Sequence, residues 1–308
     1  MTGAKPSGEG TAGLVESYRR IKQSIVAFVA KNTPEVVGSD GRPGLRHIIG
    51  TGFVLRADGV IVTNEHVVRL FPQLPRSNSQ ENWPVEALLL WQEDIGVVQL
   101  QLPVIGVGIP KTETPKVFYG AERPDIALVH VKATGLPAIE VDDDFVPVEG
   151  MRIATAGFPM GTDALMAGGW LQQMTPTLQE GVVSAVLPFA CRHAHGYTIN
   201  IMVQGGASGS PVFCPETGKV VGLLYAALVE PRGNSIQPTN ISYVLSGDNL
   251  SKALAVIAGS AEFAPPSDAP SVQKMLENTY LHNPFDDKLY RYADVKKTGG
   301  FRSPPTGS

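Results

Sequence analysis

Cysteine is nearly missing from this chain: 308 residues carry two, Cys191 and Cys214. That excludes a small fold stapled by several disulfides, and it predicts two free thiols in a reducing, cytoplasmic compartment. The opening stretch, "MTGAKPSGEG", lacks a basic region followed by an apolar run, so no secretory leader is expected. No apolar run long enough to span a bilayer occurs, so no membrane partner is expected either. Charge of one sign is also missing. With 25 basic and 29 acidic residues the net charge is −4, which leaves no electrostatic footing for nucleic acid or an anionic membrane.

Glycine and proline are plentiful instead, at 33 and 25 residues, and between them lie many short apolar runs. Runs at 24–30, 47–55, 59–68, 85–91, 95–102, 125–131, 152–158, 180–187, 197–203, 210–214, 219–227 and 241–246 read as strands. Strands this short and this frequent, with Gly, Pro and Asp between them, predict an all-β sandwich or barrel. Two segments read as helices. In 12–23, Leu14, Tyr18 and Ile21 share one face. In 247–259, Asp248 or Asn249 caps a stripe of Leu250, Leu254 and Ile257, and Gly259 ends it. The chain thus divides into a flexible start with a short helix (1–23), a β-rich body (24–259) and a linker with a tail (260–308). The prolines of 260–270 predict a flexible tether. Aromatic residues Tyr280, Phe285, Tyr290 and Tyr292, with Leu276 and Leu281, predict that the tail packs on a surface. No repeat of fixed period is visible.

The stretch "GGASGSPVF" (205–213) sets a serine between small residues just before a strand. A serine hydroxyl attacks a carbonyl only when a base takes its proton, a third group orients that base, and backbone N–H groups receive the developing oxyanion. Such a turn can supply the hydroxyl of Ser208 and the N–H groups of Gly206 and Ser208, though surface turns also look like this. His66, after "VIVTNE", is a candidate base at the end of an apolar strand, a place where histidines are also merely structural. Asp125 in "RPDIALV" and Asp94 in "QEDIGVV" are both candidate orienting acids.

Together, "GTGF", "TNEHVV", "DIAL", "GASGSP" and "VVG" occur in an order that resembles the trypsin-like serine peptidase family, nearest its HtrA-like bacterial branch. The match runs from about Ser24 to Gly259. "GLPAI" and the segment Glu149 to Gly161 continue the resemblance after Asp125, which selects Asp125 over Asp94. The resemblance implies two antiparallel β-barrels, about 24–145 and 146–259, with the active site between them. It implies a serine endopeptidase acting on protein or peptide, with His66 as base, Asp125 as orienting acid, Ser208 as nucleophile, Gly206 and Ser208 as oxyanion donors, and no cofactor. It also implies a specificity pocket walled by Met202, Val203, Gln204 and Gly205, by Tyr225, Ala226 and Ala227, and by Ser242, Tyr243 and Val244. None of these is acidic, so a small or medium aliphatic side chain is expected there, narrowed by Tyr225 and Tyr243.

Departures from the family pattern are equally specific. Glu65 replaces the usual small residue before the histidine, where it would raise the imidazole's proton affinity or face solvent. The stretch between His66 and Asp125 is long, and the chain after the last helix is too short for a PDZ domain. A catalytically silent trypsin-like scaffold is the competing expectation. "CRHAHG" aligns Cys191, His193 and His195 if extended, but with no fourth ligand in view it reads as a polar loop edge, and no metal is expected. Cys214, after Phe213, reads as a buried, inert thiol.

Overall fold

The computed structural model describes residues 9–32, 47–76, 83–93, 96–111, 123–161, 175–232, 235–282 and 288–301. Helix α1 (Glu9–Ile21) leads into a first barrel. Its strands are β1 (Ile25–Ala30), β2 (Ile48–Arg56), β3 (Val60–Thr63), β4 (Val85–Glu93), β5 (Gly96–Gly108) and β6 (Ala127–Val131). A second barrel holds β7 (Arg152–Gly157), β8 (Thr177–Leu187), β9 (Gly196–Ile199), β10 (Pro211–Phe213), β11 (Val220–Arg232) and β12 (Ser235–Ser246). The first closes in the order β1-β2-β3-β6-β5-β4, and the second follows the same path as β7-β8-β9-β12-β11-β10. The fold is therefore two closed six-stranded antiparallel barrels of one topology. The duplication lives in strand order and alternating burial, not in residue identity, which is why no sequence repeat betrays it.

Burial explains the strand patterns. Along β5, Val98, Leu100, Leu102 and Val104 are buried while Gln99 and Gln101 face water. Strand β1 is buried on both faces and so reads as an unbroken apolar run. Val26 and Phe28 enter the core of the first barrel, whereas Ile25, Ala27 and Val29 join Ala154, Phe213 and Leu223 between the barrels. Helix α3 (Gly247–Ile257) adds Leu250, Ala253 and Ile257 to that shared layer. Tyr197, Ile199 and Val212 centre the core of the second barrel.

Several expectations change. The run 59–68 is not one strand: β3 stops at Thr63, and Glu65–Val68 forms a single helical turn, α2. The run 197–203 stops at Ile199, because the Asn200 side chain accepts the Val182 N–H at 2.7 Å. Residues 260–270 are not a free tether. Phe263 is buried and stacks on His130 with ring centroids 5.6 Å apart, and Lys132 bridges Asp268 at 2.5 Å. The tail then forms α4 (Val272–Glu277), a hairpin of β13 (Tyr280–His282) with β14 (Leu289–Arg291), and α5 (Tyr292–Lys297). Val272, Leu276, Leu281, Tyr292 and Val295 join the core cluster of the first barrel, while Phe285 lies outside the described residues. Cys191 and Cys214 are free and half-buried, and Cys214 is not sealed in the core, since its thiol meets Glu216 Oε2 at 3.1 Å. Among the described residues no helix is long and apolar enough to cross a membrane.

Candidate active site

Strands β3 and β6 are neighbours, with Thr63 opposite Ala127. The chain leaving β3 therefore runs beside the chain entering β6, and His66 meets Asp125. His66 Nδ1 lies 2.6 Å from Asp125 Oδ2, and the His66 backbone N–H donates to Oδ1 at 3.0 Å. Asn64 Nδ2 adds a bond to the Asp125 carbonyl at 2.8 Å. A carboxylate on Nδ1 fixes one imidazole tautomer and leaves Nε2 able to take a proton. Asp125 is more open than an isolated buried acid, with 27% of its side chain exposed. The competing Asp94 lies outside the described residues. Glu65 does not face solvent: it is buried, and its carboxylate accepts from Arg69 and Arg123.

Ser208 sits in the turn that precedes β10. The Ala207 N–H donates to the Gln204 carbonyl at 3.2 Å, closing a four-residue turn whose third residue, Gly206, has φ +92°. This is the geometry of a type II turn, which favours glycine at that place. A Cβ on Gly206 would lie 2.5 Å from the Phe158 carbonyl. Gly209 is held as tightly: its φ is +88°, and a Cβ there would lie 2.0 Å from the Thr51 carbonyl. Within the turn, Ser210 Oγ donates to the Ala207 carbonyl at 2.6 Å. Among the described residues, the backbone N–H groups of Gly206 and Ser208 have no acceptor, and no hydrogen bond joins Ser208 Oγ to His66.

Thr51 on β2, which the sequence offered only as part of "GTGF", ties this turn to the first barrel. Its N–H donates to the Ser208 carbonyl at 2.9 Å, and its Oγ1 donates to the Gly206 carbonyl at 2.7 Å. The same oxygen accepts the Phe158 N–H at 3.1 Å, while Thr63 Oγ1 braces the Thr51 carbonyl at 2.7 Å. Next to it, the Gly161 N–H donates to the Phe158 carbonyl at 2.9 Å around Met160, whose φ of +61° is unusual for a residue with a side chain.

A cavity of about 440 Å³ opens at Ser208. Val203, Gln204, Gly205, Ala226 and Ala227 line it as the sequence led one to expect, and Leu224, Val229 and Pro238 complete its wall. The other expected wall residues lie elsewhere. Met202 points to solvent, the Ser242 hydroxyl donates to the Ile201 carbonyl at 2.7 Å, and Val244 belongs to the core of the second barrel. Tyr225 and Tyr243 pack ring against ring at 6.1 Å and do not narrow the cavity. Burial raises the Tyr225 phenol's pKa, helped by Tyr243 and the Asp125 carboxylate. A second hollow of about 340 Å³ shares Gln204, Gly205 and Gly206 with His47, Ile48, Met160 and Gly161. None of the described tail residues lines either space.

Comparison with known proteins agrees with this architecture. Residues 50–223 match the family model described as Trypsin-like peptidase domain. The chain is similar to the "Probable periplasmic serine endoprotease DegP-like" of Halomonas elongata, at 25% identity over 190 residues, 62% of this chain and 32% of that protein. It is similar to the "Magnetosome formation protease MamE" of Paramagnetospirillum magneticum, at 27% identity over 231 residues, 69% of this chain and 26% of that protein. The chain thus spans about a third or less of the length of these two relatives, 32% and 26%. Among solved structures it is similar in fold to an HtrA-type protease with a tripeptide (TM-score 0.50, 13% identity, 80% of this chain and 64% of that one). The fold of Deg5 is likewise similar (TM-score 0.50, 16% identity, 82% of this chain and 97% of that one).

Proposed function

The chain belongs to the trypsin-like peptidase family, and from that premise we propose that it is a serine endopeptidase working through an acyl-enzyme. Ser208 Oγ attacks the scissile carbonyl carbon and passes its proton to His66 Nε2. Asp125 holds the ring and stabilises the imidazolium. The oxyanion accepts from the Gly206 and Ser208 N–H groups, and its collapse expels the amine, which takes the proton from His66. Water then repeats the sequence and frees Ser208. The observation that carries this reading is the His66–Asp125 pair at 2.6 Å together with Gly206 and Ser208 N–H groups that meet no acceptor among the described residues. The substrate is a protein or peptide whose aliphatic side chain enters the cavity at Ser208. Two free thiols support a cytoplasmic location, against the periplasmic naming of four relatives, and cell fractionation decides between them.

A catalytically silent scaffold is the second reading, favoured by the lack of a hydrogen bond between Ser208 Oγ and His66. Such bonds are often long in free enzymes and tighten on the bound substrate. Labelling with a fluorophosphonate probe separates the two. The peptidase reading expects labelling of the wild type and none of Ser208→Ala. A folded wild type that resists the probe supports the scaffold.

A further inference from the structure

Beyond Thr63 and Ala127 the ladder between β3 and β6 has ended, yet the dyad is built on the two segments that follow. Pro124 has no N–H to donate, so backbone pairing is weakened there from the start. Side chains take over. Asn64 binds the Asp125 carbonyl and the His66 N–H binds the Asp125 carboxylate, as described above. A third link starts between Asn64 and His66 on one segment and ends before Asp125 on the other. Glu65 precedes His66, Arg123 lies two before Asp125, and Arg123 Nη2 donates to Glu65 Oε1 at 2.5 Å. The Glu65 side chain is only 8% exposed, so its carboxylate is met by protein donors more than by water.

Arg69 donates to the same oxygen, from Nε at 3.0 Å and Nη2 at 2.5 Å. That contact is local, within one helical turn and on a side chain 66% exposed. Of the two arginines that bind Glu65 among the described residues, Arg123 is the one that spans the two segments carrying the base and the acid. Resting on the peptidase reading, we propose that Glu65, acting through Arg123, is a positioning residue that holds the Asp125 carboxylate on His66 Nδ1. It takes a place where a small residue would leave the two segments joined by the Asn64 and His66 contacts alone.

Position and mere charge make opposite forecasts for Arg123→Ala. Removing a nearby cation eases protonation of His66 and moves the acidic limb of the kcat/KM profile to higher pH. Loosening Asp125 makes the imidazolium harder to form and moves that limb to lower pH. The experiment measures this limb, kcat, KM and the low-field proton resonance of the His66 Nδ1–H···Asp125 bond in Arg123→Ala, Arg123→Lys, Glu65→Gln and Arg69→Ala. Arg123→Ala and Glu65→Gln are expected to weaken the resonance and lower kcat about 10- to 100-fold with KM little changed. Arg123→Lys should recover part of both, and Arg69→Ala should stay within about two-fold of wild type. Folding is checked by thermal melting, and should Glu65→Gln fail to fold, the two Arg123 variants still decide. An unchanged resonance in folded Arg123→Ala, or a limb moved to higher pH, overturns the proposal. The resonance needs no turnover, so a wild type that hydrolyses nothing would sink the peptidase reading while this test still ran.

Discussion

His66 and Asp125 are joined twice: ring nitrogen to Oδ2 at 2.6 Å, and backbone N–H to Oδ1 at 3.0 Å. The second bond uses the oxygen that would otherwise let the carboxylate rotate, so Oδ2 stays aimed at Nδ1. Replacing Asp125 by Asn breaks this division of labour. The amide oxygen can serve the backbone N–H, but its NH₂ then faces Nδ1 and demands the tautomer whose Nε2 carries the proton. Asp125→Asn is expected to lower kcat by roughly 10⁴-fold, the size known for this change in such triads, with the fold intact. Steady-state kinetics with a peptide substrate check it, and a loss under tenfold would show that Asp125 does not orient the base.

Thr51 gives a second expectation. Its hydroxyl joins the Gly206 carbonyl to the Phe158 N–H, so it fixes the Gly206–Ala207 peptide, the unit that directly follows the Gly206 N–H in the turn. Thr51→Val keeps the shape and leaves both groups unmet. The expected loss is about tenfold in kcat, smaller than the 10²- to 10³-fold loss of an oxyanion donor itself. Thr51→Ser keeps the hydroxyl and should restore most of the rate. Equal kinetics for the Val and Ser variants would remove Thr51 from the site.

The cavity at Ser208 makes a specificity statement. Val203, Leu224, Val229 and Pro238 are apolar, and no lining residue carries a charge. Burying a lysine ammonium there without a partner is opposed by several kcal/mol. Peptides with Val or Leu before the scissile bond should be cleaved at least about 100-fold faster, by kcat/KM, than those with Lys or Arg. Ala227→Asp should shrink that ratio by supplying the missing charge. A peptide library read by mass spectrometry tests both, and cleavage after basic residues by the wild type would contradict the cavity's chemistry.

How legible this was in the sequence depended on the distance over which each feature is encoded. Strands of the barrels showed as runs of alternating or continuous apolar residues, because burial acts on every second side chain of β5 and on every one of β1. The turn at Ser208 was legible because Gly206 and Gly209 sit at positive φ, where almost nothing else fits. Thr51 and the Glu65–Arg123 pair were not, since their meaning lies in partners found far along the chain. Pocket residues were assigned by segment, and side-chain alternation then sent Tyr225 and Val244 away from the cavity. The tail misled in a similar way. Prolines in 260–270 suggested freedom, but Phe263 and Asp268 each find a fixed partner on β6 or just after it.

Attachment of that tail should depend on acid. Glu93, at the end of β4, accepts from Lys296 Nζ at 2.9 Å and Trp91 Nε1 at 3.1 Å, and Tyr292 also bonds to it. Burial alone would push its carboxyl up, but the bonds from Tyr292, Lys296 and Trp91 outweigh that and hold it below the usual carboxylate range. A carboxyl lowered in the folded state binds fewer protons than in the unfolded one. Its contribution is therefore present above the ordinary carboxylate pKa and is lost as pH falls through the lowered value. Glu93→Gln should flatten the acid side of the thermal stability profile and leave the neutral side lower. Leu276→Ala, which empties part of the apolar seam with the first barrel, should cost roughly 2–5 kcal/mol at every pH. Neither change touches Ser208 or its cavity, so turnover of a short peptide at 25 °C should stay within about two-fold while the protein remains folded. If Glu93→Gln melts with the same acid dependence as the wild type, the clamp on α5 contributes nothing to that dependence. A rise in turnover for either variant would mean that the tail restrains the site and is not merely part of the barrel's wall.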